Sequence, residues 1–341
     1  MKNTKKIRIE SAGRLHFGLI DLNGSLGRTD GGIGVALKKP EIIVDAEFIE
    51  NSNASGIEII GTKRTCEISD AVNKLNKLKN LNQKFNTNIK IIIKNNIPSH
   101  SGLGSTTQTL LAVSKAVTEL NGISLNAREL SNIIGRGGTS GIGTGVFESG
   151  GFILDGGHTF GSGKQKNTFI PSSISPASPA PILARYNLPN DWFFVVVIPA
   201  VKSKIYGQKE VNIFQKYCPI PESDVEKLSR LILIKILPSI VEKDIDSFGS
   251  GLSQMQNISF KKIEVSLQDE IVTGLIYNLN KNSYGAGMSS FGAAVYAVAK
   301  GRKHADEIAG CVNEFLAGKV NFKTIITAAD NSGAKICINE K

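Results

Sequence analysis

The chain has 341 residues, 41% of them hydrophobic and 21% charged, with 40 Lys+Arg against 30 Asp+Glu and a formal net charge of +10. That length exceeds what one core usually supports, so two domains are expected, and the apolar fraction excludes a mainly disordered chain. No run of about 18 uncharged apolar residues is present to span a membrane, and Cys66, Cys218, Cys311 and Cys337 are too scattered for a zinc knuckle or a disulfide framework.

The N-terminus, MKNTKKIRIE, has basic residues but no apolar stretch before Glu10, so no secretion signal is read and a cytoplasmic location is expected. IRIESAGRLHFGLI, residues 7 to 20, reads as a strand, DLNGSLGRTDGGIG as a glycine-punctuated turn, and 35 to 48 as a second strand. Residues 70 to 86 carry Val72, Leu75, Leu78 and Leu81 at helical spacing, and IKIIIK at 89 to 94 is a further strand. In NNIPSHSGLGSTTQTLLAV a strand end passes through a glycine loop into a helix. That helix places Leu110, Val113, Val117 and Leu120 on one side and stops at Asn121-Gly122.

Residues 135 to 157, GRGGTSGIGTGVFESGGFILDGG, are the densest in glycine and are expected to be mostly loop with one strand near GGFILD. PSSISPASPAP at 171 to 181 reads as a surface connection at a domain boundary, giving expected domains of 1–180 and 181–341, the second opening on the strand WFFVVVIPA. Helical patterns at 223 to 243 and 303 to 317 and strand-like ends at TIITAA and AKICI follow, with a second glycine loop, SYGAGMSSFGAAVYAVAK, between the two helical stretches. The whole is an α+β pattern.

A helix N-terminus offers unpaired N–H groups and the positive end of a dipole, and glycines let an anion come close to them. Ser101, Gly102, Leu103, Gly104, Ser105 and Thr106 fit that design, so the bound group should be a phosphate. The loop lacks the lysine of a Walker loop and does not follow the first strand of a Rossmann unit. A basic chain suits an anionic partner. Aromatic content of 6%, with no Lys and Arg interleaved with Phe or Tyr, argues against nucleic acid.

The run from Pro98 to Thr106, PSHSGLGST, resembles the phosphate-loop signature PxxxGLGS[ST] of the galactokinase, homoserine kinase, mevalonate kinase and phosphomevalonate kinase (GHMP) superfamily. Gly285–Gly292 resembles its C-terminal glycine motif and Gly13-Arg14-Leu15-His16 its first motif. Kinases of the group usually carry PSGxD with a catalytic aspartate. Here the stretch is Thr139-Ser140-Gly141-Ile142-Gly143, and glycine stands where that aspartate would be. An ATP-dependent GHMP small-molecule kinase is therefore the alternative reading, and it would need a base from elsewhere, such as Asp155.

Four segments in order, GRLHFGLIDLNGSLGRTDGGIGVAL, IPSHSGLGSTTQ, GRGGTSGIGTGVFESGGFILDGGH and GAGMSSFGAAVYAV, resemble one branch of the superfamily, the beta-ribofuranosylaminobenzene 5'-phosphate synthases. The resemblance implies a GHMP-kinase-like two-domain fold, with a ribosomal S5 domain 2-like N-terminal domain and a ferredoxin-like C-terminal domain. It also implies a homodimer. The implied activity is a decarboxylating glycosyl transfer in methanopterin biosynthesis. Phosphoribosyl pyrophosphate (PRPP) condenses with an aromatic carboxylic acid, 4-aminobenzoate or 4-hydroxybenzoate, releasing pyrophosphate and carbon dioxide and forming a C-riboside. Mg²⁺ is the expected cofactor, because it neutralises a diphosphate leaving group.

Within these motifs Asp30, His16, Arg28 and Glu148 are the catalytic candidates: Arg28 as a grip on pyrophosphate or carboxylate, Glu148 to orient the ring's amine or hydroxyl. His100 in the loop, Arg136, Gly137 and Gly138 in the second glycine segment, and Ser289 and Ser290 in the third are candidates for holding PRPP. Asp30 and Asp155, each before a glycine pair, are candidate Mg²⁺ ligands or ribose contacts. His158 also falls in a motif. The plain alternatives are arginine–aspartate pairing, Asp-Gly turn chemistry, structural histidines and serine caps.

Overall fold

The computed structural model describes residues 5–49, 56–77, 85–172, 174–201 and 205–340. Its first half contains β1 (Lys5–Asp21), β2 (Arg28–Phe48), β3 (Ile57–Ile60), α1 (Thr65–Asn76), β4 (Ile89–Asn95), α2 (Ser105–Leu120), α3 (Ala127–Ile134), α4 (Ile142–Ser149), β5 (Phe152–Asp155), β6 (His158–Thr159) and β7 (Ile182–Tyr186). The remainder contains β8 (Trp192–Pro199), α5 (Gln208–Tyr217), α6 (Glu222–Leu231), a π-helical stretch (Ile232–Ile236), α7 (Leu237–Glu242), α8 (Ile245–Met255), α9 (Ser259–Ser266), α10 (Glu270–Asn280), β9 (Gly285–Met288), β10 (Val295–Lys300), α11 (Gly301–Leu316), β11 (Phe322–Ala328) and β12 (Lys335–Glu340). No helix among the described residues is long and apolar enough to cross a membrane.

The first sheet runs β12-β1-β2-β4-β3, with β5 pairing both β2 and β7. Its long central hairpin pairs from Lys6↔Glu47 to Asp21↔Asp30, with register shifts at Ala12/Gly13 and His16/Gly18. The second sheet is antiparallel, β11-β8-β10-β9. Alternate residues of β8 face different cores, as a period of two requires: Val195 and Val197 pack with Leu275, Ile308 and Val312 of α10 and α11, while Phe194 and Val196 face the first sheet. Phe17 of β1 meets Tyr296 of β10 edge-on at 5.1 Å and Phe248 of α8 at 6.4 Å, so one aromatic core joins the two halves.

Several expectations need correction. The glycine-rich stretch after Gly27 is not a turn: β2 begins at Arg28, because pairing with β1 on one side and β5 on the other holds Gly32 and Gly34 extended despite their low strand propensity, while Asp30 and Gly31 interrupt the strand with φ of 69° and 68°. The helix expected over 70 to 86 begins at Thr65 and ends at Asn76, and Leu78 and Leu81 fall outside the described residues. The segment read mostly as loop contains α4. Its Gly143 and Gly145 sit where a Cβ would come within 2.9 Å of Thr107 and 3.0 Å of Ile182, so close packing explains glycines that propensity alone reads as breakers.

The proline-serine connection is partly internal, with Ser175 buried and donating its hydroxyl to Gly138 O at 2.5 Å. β7, just after this connection, pairs with β5 in the first sheet, and β12 returns to pair with β1. The third glycine segment is a hairpin, Met288↔Val295, and not a helix start that needs a serine cap.

Candidate active site

β4 ends at Asn95, and the chain turns at Pro98 into a loop that delivers the N-terminus of α2. Gly102 and Gly104 have φ of 80° and 81°, a region closed to most side chains. A Cβ on Gly102 would collide with Ser289 O, and one on Gly104 would lie 2.9 Å from the Arg14 side chain. Gly104 is also the N-cap of α2 and brings no capping side chain, which leaves the first-turn amides of a 16-residue helix for a ligand.

Those amides open onto a cavity of about 660 Å³. Arg14, Arg64, Lys74 and Arg136 supply positive charge to its wall, Glu67, Asp70, Glu210 and Glu264 negative charge, and Leu19, Phe214 and Phe291 an apolar face. A smaller recess of about 160 Å³ is lined by the loop residues 100–107 with Arg14 and Arg136.

The two arginines at the loop are held by neutral oxygens. Arg14 donates to Gly102 O at 2.5 Å, and Arg136 donates through Nε and Nη2 to Thr107 Oγ1 at 3.2 and 3.0 Å. Among the described residues neither forms an ion pair. Burial, and then repulsion from Arg136, lowers Arg14 to about 10, and burial lowers Arg136 as well. Two desolvated cations facing free helix amides form a site short of negative charge. Arg64 reaches the same loop, donating to Ser99 Oγ at 3.2 Å and Ser105 Oγ at 3.3 Å, while it pairs with Glu67.

At another part of the wall, burial and then Glu264 raise Glu210 to about 7. Burial raises Glu264 too, although it pairs with Lys261, whose Nζ also donates to Ser290 O at 3.1 Å.

Of the expected residues, His16, His100, Thr106, Arg136, Gly137 and Ser290 line the cavity, and Ser101, Gly102, Leu103, Gly104 and Ser105 line the adjoining recess. His100 and Ser290 hold φ of 53° and 52°, unusual for residues with a Cβ, and the His100 ring lies 4.5 Å from that of Tyr206. Gly138 backs onto Ser175 instead. Ser289 is fully buried, accepting from His16 N–H at 3.0 Å and donating to Gly102 O at 2.6 Å, so it holds the loop without facing the cavity.

Asp30, Arg28 and Glu148 are not on the cavity wall. Asp30 is buried against Lys166 Nζ at 2.9 and 3.0 Å and His158 Nδ1 at 2.6 Å, which engages both carboxylate oxygens. His158 Nε2 in turn lies 3.0 Å from Ser178 O. Arg28 is spent on the carbonyls of Gly156 and Gly157 at 2.8 to 3.0 Å. Glu148 is exposed near the end of α4. Asp155 accepts from Gly141 N–H at 2.9 Å, Gly157 N–H at 3.0 Å and Ser140 Oγ at 3.3 Å, so its oxygens are not presented to a metal. Strand pairing turns both aspartates inward, which their DGG sequences do not reveal.

Arg14, Arg64, Ser140, Glu210 and Glu264 are site residues that the motifs alone do not single out. Arg14 and Ser140 sit inside the motifs, and their spacing to His16 and the loop is the available signal. Glu210 on α5 and Glu264 on α9 carry no motif at all.

Known proteins share parts of this sequence and its fold. Residues 68–151 match the GHMP kinases N terminal domain and 236–318 the GHMP kinases C terminal domain. The chain is 42% identical over 335 residues to a beta-ribofuranosylphenol 5'-phosphate synthase of Methanothermobacter thermautotrophicus, covering 96% of this chain and 97% of that protein. It is 42% identical over 342 residues to the protein of the same name from Methanocaldococcus jannaschii, covering 96% and 99%. L. major mevalonate kinase in complex with R-mevalonate shares the fold with a TM-score of 0.66 at 14% identity, covering 95% of this chain and 96% of that one.

Proposed function

The chain belongs to the beta-ribofuranosylphenol 5'-phosphate synthase family within the GHMP kinase fold, and from that membership we propose that it joins PRPP to 4-hydroxybenzoate or 4-aminobenzoate with loss of pyrophosphate and carbon dioxide. The phenol in the relatives' names favours the hydroxyl-bearing ring. The observation that carries the reading is a loop that leaves the first-turn amides of α2 uncapped beside Arg14 and Arg136, with no carboxylate at position 143. Gly143 packs so closely on Thr107 that an added Cβ would stand 2.9 Å from its methyl group.

Pyrophosphate binds the first-turn amides of α2, with Arg14 and Arg136 neutralising charge as it builds on the leaving group. The aromatic ring lies against Leu19, Phe214 and Phe291, where water is excluded from the anomeric carbon. As the carbon–oxygen bond to pyrophosphate stretches, the sugar takes on oxocarbenium character. The ring attacks it through the carbon that bears the carboxylate, and departure of carbon dioxide restores aromaticity.

Among the described residues no group of three or more His, Cys, Asp or Glu stands ready for a metal, so Mg²⁺ would share its ligands with the diphosphate. Glu210, with Glu264 beside it, is suited to hold the cation, because the negative charge that helps raise Glu210 to about 7 is what a cation relieves. Bound there, Mg²⁺ supplies charge neutralisation to the departing diphosphate.

The reading is tested by incubation with Mg²⁺, PRPP and carboxyl-labelled 4-hydroxybenzoate, with 4-aminobenzoate in parallel. Equal yields of labelled carbon dioxide and pyrophosphate are expected. Formation of ADP from ATP and an alcohol, with no decarboxylation, would overturn the proposal in favour of a kinase.

A further inference from the structure

A chain of three side chains leads from the cavity wall into the interior. His16 Nε2 lies 3.1 Å from Ser140 Oγ, and Ser140 Oγ lies 3.3 Å from Asp155 Oδ2. His16 and Ser140 line the cavity and Asp155 is buried behind them. The Ser140 hydroxyl has one hydrogen. An ionised Asp155 accepts only, so that hydrogen turns to Oδ2, and Ser140 Oγ then accepts from Ile142 N–H at 3.3 Å and from His16 Nε2–H. The lone pair of the neutral imidazole is left on Nδ1, which is buried and has no hydrogen-bond partner among the described residues.

We infer that His16, Ser140 and Asp155 form a proton relay that takes the hydrogen of the substrate's ring hydroxyl at His16 Nδ1 while the ring attacks the sugar, and returns it after carbon dioxide leaves. The inference rests on the synthase reading of the site. His16 is the catalytic residue, touching the ring oxygen; Ser140 and Asp155 are positioning residues that act through it.

The steps balance. The ring O–H bond breaks, and its electron pair moves through the ring as the bond to the anomeric carbon forms and the bond to pyrophosphate breaks. The proton arriving at Nδ1 is matched by passage of the Nε2 proton to Ser140 Oγ and of the Ser140 hydrogen to Asp155 Oδ2. When the bond to the carboxylate carbon breaks, its pair restores the aromatic ring, the ring oxygen recovers its electrons, and the relay runs backwards. No proton is gained or lost overall.

The surroundings suit this division of labour. Burial, then Arg14, then Lys261 hold His16 well below its ordinary range, so an imidazolium is disfavoured. Burial raises Asp155 to about 7; the Gly157 and Gly141 amides and His158 oppose that rise and Asp30 adds to it. A base that resists becoming a cation, coupled to an acid able to hold a proton near neutrality, lets the charge come to rest away from the arginines.

The experiment compares wild type, Ser140→Ala and Ser140→Thr with 4-hydroxybenzoate and with a doubly ortho-fluorinated 4-hydroxybenzoate whose hydroxyl is already ionised at the assay pH. With the parent substrate, Ser140→Ala should lower kcat about 100-fold or more with KM for PRPP little changed, and Ser140→Thr, which keeps the hydroxyl, should recover most of the rate. With the fluorinated substrate the gap between Ser140→Ala and wild type should close. An equal gap with both substrates, or full kcat in Ser140→Ala, would overturn the relay while wild-type turnover leaves the synthase reading standing. No carbon dioxide from wild type would instead sink the reading beneath it.

Discussion

Ser289 Oγ donates to Gly102 O at 2.6 Å, tying a hairpin of the C-terminal half to the phosphate loop of the N-terminal half. The same hydroxyl accepts from His16 N–H at 3.0 Å, and Ser290 N–H donates to His16 O at 2.8 Å. Loop, first strand and hairpin are therefore set by one buried oxygen. Ser289→Ala leaves a buried carbonyl and a buried amide unpaired and should lower stability by about 1–3 kcal/mol. Denaturant midpoints measure this, and an unchanged midpoint would show that the hydroxyl is not needed there.

Arg136→Gln keeps a donor for Thr107 Oγ1 but removes the charge that faces the loop. Loss of a charge-assisted contact of about 1.5–3 kcal/mol predicts a rise in KM for PRPP of roughly 10- to 100-fold, with KM for the benzoate little altered. A matching rise for both substrates would place Arg136 elsewhere in the reaction.

Gly143→Ala puts a methyl group 2.9 Å from Thr107 Cγ2. Overpacking of this kind costs about 1–3 kcal/mol, and it acts on the first turn of α2, so affinity for PRPP should fall with stability. Adding Thr107→Ser removes the opposing methyl and keeps the hydroxyl that Arg136 uses. The double variant should regain both properties, as read by melting temperature and KM.

Asp30→Asn separates a fully buried carboxylate from Lys166, leaving an uncompensated cation. Breaking such a pair costs about 3–5 kcal/mol. Specific activity of the remaining folded protein, measured well below the melting temperature, should stay near wild type because Asp30 does not face the cavity. Lost turnover at unchanged stability would return Asp30 to the catalytic set.

Glu210 is raised to about 7 from an ordinary value of 4.5, by burial first and Glu264 second. Between those two values the native chain keeps a proton that the unfolded chain has released, so the group's contribution to stability is complete below about 4.5 and is lost as pH rises through 7. Glu210→Gln should be more stable than wild type at pH 8 in metal-free buffer, with the difference vanishing toward pH 4. Thermal melts across that range decide it; a difference that grows toward acid would contradict the assignment.

Much of the molecule is legible in short stretches of sequence. A strand ending before Pro98, two left-handed glycines and the apolar side of α2 mark the candidate phosphate loop, because capping, glycine geometry and helical periodicity act over only a few residues. Gly143 in place of an acidic residue is read in the same way. The local rules fail where distant packing decides: Gly143 and Gly145 lie in a helix because α2 and β7 crowd them, and Asp30 turns inward because Lys166 and His158, more than a hundred residues away, meet it there.

Sequence alone established the fold class and the lack of an aspartate at position 143, and it picked out the glycine loop before α2 as the candidate anion cradle, since each is written in neighbouring residues. Only the tertiary structure brought Glu210 and Glu264 from separate helices to the wall that Arg14 and His16 share, and only it connected His16 through Ser140 to Asp155. Burial and charge proximity are properties of residues far apart in the chain, and they are what set the proton affinities of these side chains.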